Sequence, residues 1–406
     1  MRLRPNLRRR TLAFAAIIVS ALTAVAAVPS EAQTYTVLHH FGSGTDGALP
    51  VGGIKPRLPG AGFYGVTYKG GASGDGTMYQ IMGPDWIETI VFNFDGANGS
   101  NPDNRPSGGG IHTTSGYGTA SAGGEYGFGV VYNPSGDAIY SFCPVAPSCI
   151  DGATPFGDVV VVAPALNHYV LYGTTVAGGA YGKGTVFMQD LNTGAHTVLH
   201  SFGGGTDGAV PNGLTANSAG TIVYGTTSQG GAEGLGTVFS LVLSTGVETV
   251  LHSFTGADGS SPEGEVSFDP SGNLYGTASA GGAHTWGTVF EISSTGAFTL
   301  LYSFTGGSDG GLPDGGPVAA QISGEAVIGT TIAGGVTQGY EGWGTLWELS
   351  TGGKLKVLHA FCSSAACSDG GSPTGPLYIS GSSVEGTARF FGAYGGGVLF
   401  EMSGLE

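Results

Sequence analysis

The chain has 406 residues, 79 of them glycine and only 10% charged, and its 13 basic residues against 29 acidic ones give a formal charge of −16. Such acidity repels phosphate backbones and argues against nucleic acid as a partner. The glycine content argues against a helical solenoid, while regularly spaced β-branched and aromatic segments argue against disorder.

At the N terminus, Arg2, Arg4, Arg8, Arg9 and Arg10 precede a largely apolar run from Leu12 to Val28, and Ser30-Glu31-Ala32 fits a small-x-small cleavage site before Gln33. Residues 1–32 are expected to be a secretory signal peptide. Arg9-Arg10-Thr11-Leu12 also loosely fits a twin-arginine signal, so the export route stays open between the two. The run is short and alanine-rich for a membrane anchor, and no second hydrophobic span follows. The expected mature product is exported (extracellular or periplasmic), monomeric, without a transmembrane span, and carries 8 basic residues against 28 acidic ones, a formal charge of −20.

From Thr36 onward one unit repeats seven times. An apolar segment ends at Phe41, Phe94, Phe142, Phe202, Phe254, Phe304 and Phe361. An Asp/Asn-Gly-x-x-Pro phrase follows, opening at Asp46, Asn98, Asp151, Asp207, Asp258, Asp309 and Asp369, at spacings of 51 to 60 residues. Next come a YGTT-like tetrad, opened by Tyr64, Tyr117, Tyr172, Tyr224, Tyr275, Ile328 and Glu385, and a glycine-rich stretch. A Gly-Thr-Val-Phe-like segment completes the unit, opening at Gly76, Gly129, Gly184, Gly236, Gly287, Gly344 and Gly397.

A fixed period of this size marks units that bury their apolar faces against one another, and its length matches a four-stranded propeller blade. The segment after proline is assigned as innermost strand A, the tetrad as B, Gly-Thr-Val-Phe as C, and the segment ending in phenylalanine as outermost D. The mature sequence starts with a lone D-type strand, Thr36 to Phe41, and stops just past a C-type strand, Gly397 to Met402. The predicted fold is all-β: a single domain over residues 33–406, a seven-bladed β-propeller closed by the N-terminal strand pairing into the last blade. Closure of that kind leaves no open sheet edge. Strand alternation puts the B–C and D–A loops on one face, where function is expected together with the mouth of the central channel.

The four cysteines form two close pairs, Cys143 with Cys149 and Cys362 with Cys367, each between the phenylalanine and the Asp-Gly of its repeat. In an exported chain this predicts two local disulfides. Rings so small contribute at most about 2 kcal/mol each. The rival zinc reading lacks a nearby histidine.

The repeat resembles that of the GloVer family, exported bacterial proteins with copies of a YGTTxxGGxxGxGTVF-like phrase. The match is close at Tyr172 to Phe187 and Tyr224 to Phe239, looser in the first two and last repeats, and spans essentially the whole mature chain. The resemblance implies an exported repeat protein and brings no established catalytic residues. Its members often carry a C-terminal surface anchor, and none is read before Glu406.

Candidate sites follow from where the repeats agree or differ. Asp46, Asp151, Asp207, Asp258, Asp309 and Asp369 present one carboxylate per loop; calcium needs six to eight oxygens, so a self-capping turn is preferred over a calcium site. The variable loop positions hold Tyr126, Phe128, Tyr181, His284, Trp286, Tyr340, Trp343 and Tyr394. Exposed rings there suit stacking on sugars or anchoring a partner protein; the alternative is that they seal the loops. His39, His200, His252 and His359 share a strand D slot with Phe92, Tyr140 and Tyr302, which marks a packed ring rather than a ligand. No nucleophile elbow, zinc-protease helix or phosphate loop is present.

The leading expectation is a non-catalytic binding propeller for extracellular carbohydrate or a surface protein, needing no cofactor. The alternatives are a polysaccharide hydrolase or lyase at the channel mouth, which requires converging acids with shifted pKa values, and a structural envelope repeat.

Overall fold

The computed structural model describes residues 32–58, 62–102, 116–316, 318–320, 326–335, 342–350 and 352–405. They form seven antiparallel sheets in a ring, the predicted seven-bladed β-propeller. Blades 1 to 6 span residues 47–93, 118–141, 153–201, 208–253, 267–303 and 311–360, and blade 7 joins residues 371–403 to the strand Thr34–His40. In blade 4 the sheet order is the chain order A-B-C-D. Blade 2 shows strands B, C and D; its strand A position lies outside the described residues. Among the described residues the only helix is a single 3-10 turn at Ala365–Cys367, and no helix is long and apolar enough to cross a membrane.

The N-terminal strand pairs antiparallel with strand C of blade 7, with Thr34 opposite Ser403, Val37 opposite Phe400 and His40 opposite Val398. Tyr35 anchors it: the ring stacks on His359 at 3.7 Å and the hydroxyl donates to the Asp369 carbonyl at 2.6 Å.

Each marker of the repeat has a role at the seam between blades. The strand D phenylalanine of one blade packs against the strand C aromatic of the next: Phe41 on Tyr79, Phe94 on Tyr132, Phe142 on Phe187, Phe202 on Phe239, Phe254 on Phe290, Phe304 on Trp347 and Phe361 on Phe400. Centroid separations of 5.0 to 5.6 Å suit tilted and edge-to-face pairs, worth about 0.5–1.5 kcal/mol each beyond their burial. The seven phenylalanines are fully buried.

The Asp-Gly-x-x-Pro phrase is more than a turn. The residue before each proline (Leu49, Asn101, Thr154, Val210, Ser261, Leu312, Ser372) has a positive φ of 49° to 59°. Its N–H donates to the residue just ahead of strand C in the preceding blade, from Leu49 to the Gly396 carbonyl at 2.7 Å through Ser372 to the Trp343 carbonyl at 2.8 Å. The proline then lies on the glycine that opens that strand C: a Cβ on any of the seven would come within 3.0 Å of the proline Cδ. Seven proline-on-glycine contacts, ending with Pro50 on Gly397, close the ring.

Inside four of the blades, hydroxyls are matched in pairs. Thr67 meets Thr77, Thr175 meets Thr185, Thr227 meets Thr237 and Thr331 meets Thr345 at 2.8 to 2.9 Å between strands B and C. In blades 2 and 7 both positions turn apolar together, as Ala120 with Val130 and Ala388 with Val398. In blade 5 Thr288 faces Ala278, and its hydroxyl donates to the Asp258 carbonyl at 3.1 Å instead; a buried hydroxyl with no partner would cost its desolvation without return.

Blade 7 departs from the pattern at Glu385, which takes the tetrad's tyrosine position and lies buried opposite Glu401 on strand C. Burial, reinforced by the Glu401 charge, pushes its carboxyl up to about 8. The unfolded chain ionises first as pH rises from the ordinary 4.5, so this group's contribution is intact below that value and is lost progressively up to about pH 8. Glu385→Gln is expected to flatten the fall of melting temperature between about pH 5 and pH 9. Identical pH profiles for the two proteins would refute this assignment.

Candidate binding face and channel

The first face is built by two loop families that brace each other. The second glycine of the B–C loop donates its N–H to the D–A loop of the same blade, for example Gly179 to the Cys149 carbonyl at 2.9 Å and Gly231 to the Asp207 carbonyl at 3.1 Å. The next loop residue is pinned by the residue just before the strand D phenylalanine: the Ala180 N–H donates to Ser201 Oγ, and the Ala393 N–H to His40 Nδ1 at 3.1 Å. His40 thereby ties the closing strand to the blade 7 loop.

The bracing leaves the tip outside. Tyr126, Tyr181 and Tyr394 occupy the same tip slot and are 39%, 67% and 62% exposed. His284 and Glu233 take this slot in blades 5 and 4 and are also exposed. Phe128, Trp286 and Trp343 occupy a different slot, at the loop base just ahead of strand C. Trp286 is half-buried, with Gly306 and Gly311 beneath its ring leaving no room for a Cβ. Trp343 packs edge-on against Phe391 at 4.6 Å and keeps 38% of its surface open, and Phe128 keeps 37%. Tyr340 lies outside the described residues. The seven described positions thus divide by slot into solvent-facing tips (Tyr126, Tyr181, His284, Tyr394) and bases just ahead of strand C (Phe128, Trp286, Trp343).

The aspartates of the repeated phrase cap the chain leaving strand D. Asp46 accepts from the Ser43 N–H, Asp151 from Cys143, Asp207 from Gly203, Asp258 from Thr255, Asp309 from Thr305 and Asp369 from Ser363, at 2.7 to 3.2 Å. The same carboxylates meet the strand D ring slot: Tyr140 donates to Asp151 at 2.8 Å, Tyr302 to Asp309 at 3.0 Å, and His252 and His359 bond Asp258 and Asp369 at 2.9 and 3.1 Å. Burial pushes the Asp369 carboxyl up, but hydrogen bonds from His359, Ser364 and Ser363 outweigh it and hold it well below the usual range. In blade 1 the ring slot is Phe92, which cannot bond a carboxylate, and there the loop carries Asn98. Both cysteine pairs are disulfide-bonded, Cys143 to Cys149 and Cys362 to Cys367.

Around the axis, the innermost backbone segments of blades 5, 6, 7 and 1 pack directly on each other. A Cβ on Gly264 would strike the backbone of Gly315, one on Gly315 would lie 2.8 Å from the Gly375 carbonyl, and one on Gly375 would strike Gly53. Beside this collar, Lys55 of blade 1 reaches Asp158 of blade 3 at 2.9 Å. Burial holds the Glu265 carboxyl of blade 5 well above its ordinary range; Asp158 adds to the shift and Lys55 opposes it. Glu265 also lines a cavity of about 320 Å³ with Thr215, Val266, Ser267, Phe268 and Pro376, near the ends of strands A remote from the Asp-Gly loops. Three ionisable groups converging from blades 1, 3 and 5 escape sequence reading, because they sit at different distances from their prolines. Glu291, Glu348 and Glu401 lie within strands C and are half-buried.

The fold and its repeat define a closed propeller assembled from one strand-loop unit. The Gloeobacter/Verrucomicrobia repeat model matches residues 22–221 and 117–340, and the chain belongs to that family. No curated protein matches the sequence. Among solved structures, the chain is similar to an oligogalacturonate lyase from Vibrio parahaemolyticus at 12% identity, over 91% of this chain and 93% of that one, with a TM-score of 0.56. It is also similar to a gluconolactonase from Xanthomonas campestris at 12% identity, over 90% and 99%, with a TM-score of 0.43. At these identities the likeness is one of fold.

Proposed function

We propose that this protein is an exported, non-catalytic propeller that binds extracellular carbohydrate through the tips of its B–C loops, with residues 1–32 as its signal peptide. The observation that carries the reading is the exposure of Tyr126, Tyr181 and Tyr394 at one loop slot of three blades. Rigid aromatic rings offer large stacking area at little entropic cost. The acidic charge favours neutral glycans over polyanions. A protein of the cell surface is the other partner suited to the same tips.

The full chain is expected to give hits on an array of neutral oligosaccharides, and the Tyr181→Ala/Tyr394→Ala variant to bind those hits about tenfold more weakly or worse, with an unchanged melting temperature. An array without hits, or hits indifferent to the tyrosines, would overturn the reading.

Asp158, Glu265 and Lys55 favour a second reading, polysaccharide hydrolysis or elimination beside the axis. It requires polysaccharide cleavage by the full chain that Glu265→Gln abolishes. The binding reading predicts no cleavage.

A further inference from the structure

The outer wall of the propeller carries a second repeated contact. The strand D ring slot of each blade faces, across the groove, the strand D residue six before the phenylalanine of the next blade. Three seams are stacked rings: His359 on Tyr35 at 3.7 Å, Tyr140 on His196 at 3.8 Å and His252 on Phe298 at 3.6 Å. Tyr302 shares an apolar cluster with Leu355, and Gly136 sits under the Phe92 ring. The two remaining seams oppose a histidine to a glutamate: His39 with Glu88, and His200 with Glu248. At both, the loop aspartate completes a set of one imidazole nitrogen and two carboxylate oxygens within 4.8 Å of one another, His39-Asp46-Glu88 and His200-Asp207-Glu248.

The His39 set is the more enclosed and is internally unsatisfied. Its Nε2 lies 3.3 Å from Glu88 and 3.8 Å from Asp46 and hydrogen-bonds to neither, whereas His252 and His359 bond their aspartates directly. Glu88 Oε1 and Asp46 Oδ1 are also buried without a hydrogen-bond partner, on side chains only 7% and 9% exposed. Orphaned polar atoms of this kind are costly unless another group satisfies them. At the His200 set the orphan is Glu248 Oε1, and the His200 and Asp207 side chains are 21% and 27% exposed. The His39 set borders a groove of about 470 Å³, lined also by Ser43, Thr45, Asp85 and Trp86.

We propose that His39, Asp46 and Glu88 bind a divalent transition metal of the zinc class, with His200, Asp207 and Glu248 forming a weaker second site. One imidazole with two carboxylates suits zinc, and three protein ligands beside an open groove leave a position for water or an external ligand. Because His39 belongs to the closing strand and Glu88 to blade 1, the metal fastens the seam at which the ring closes. The inference is independent of the loop-tip reading.

The test is zinc titration of the chelator-stripped full chain by calorimetry, with melting temperature read in parallel. One tight and one weaker equivalent are expected, with a rise in melting temperature on loading the first. Glu88→Gln should weaken the tight equivalent about 100-fold, Glu248→Gln only the other, and His252→Gln neither. X-ray absorption of the wild-type zinc form should show nitrogen and oxygen ligands including imidazole, a readout free of any folding defect in the variants. Failure to bind zinc at millimolar concentration, preference for calcium, or tight binding undiminished in Glu88→Gln would overturn the proposal.

Discussion

A chain lacking residues 33–41 is expected to lose its cooperative fold, or at least about 5 kcal/mol of stability, and to aggregate. Deletion removes the strand that covers the edge of blade 7 and takes with it Phe41, fully buried against Tyr79 of blade 1. Phe41→Ala alone should cost about 3–5 kcal/mol, as for other buried phenylalanines cut to alanine. Urea unfolding measures both. A truncated protein that stays monomeric with a wild-type midpoint would show that the ring does not depend on its first strand.

The second large effect is expected at the glycines that open strand C. Gly236 has φ of +102°, and a Cβ there would lie 2.6 Å from Pro262 Cδ and strike the Thr227 carbonyl. Gly236→Ala combines left-handed strain with overpacking against a backbone carbonyl and a proline ring, for a loss of about 3 kcal/mol or more. Gly234, two residues earlier in the same loop, has φ of +76° and no atom within 4 Å of its Cβ position. Gly234→Ala should cost only the conformational part, about 1 kcal/mol. Unfolding midpoints of the pair separate strain from the proline interlock; equal losses would show that the interlock contributes nothing.

The same interlock explains how much of the fold was legible. Phenylalanine, Asp-Gly-x-x-Pro and Gly-Thr-Val-Phe recur because each meets a different neighbour at the seam, so their count gave the blades and their order gave the closure. Contacts that depend on inter-blade register were not legible. The ring slot holding His39 reads as structural within one repeat, and only the offset that sets it against Glu88 of the next blade brings the His39-Asp46-Glu88 group together. A clue was nevertheless present in blade 1, where Phe92 and Asn98 depart together from His or Tyr with Asp. The division of the loop rings into tips and bases follows from the slot each occupies relative to strand C. Lys55, Asp158 and Glu265 carry no repeating signal, since charges beside the axis differ from blade to blade.

Hydrogen–deuterium exchange on the intact protein tests the closed ring most directly. Amides of Thr34–His40 that pair with strand C of blade 7 should exchange as slowly as those of Val398–Ser403 and become exposed in the same cooperative event. Full exchange of the first strand within seconds, while the seven sheets stay protected, would contradict a propeller closed by its N-terminal strand.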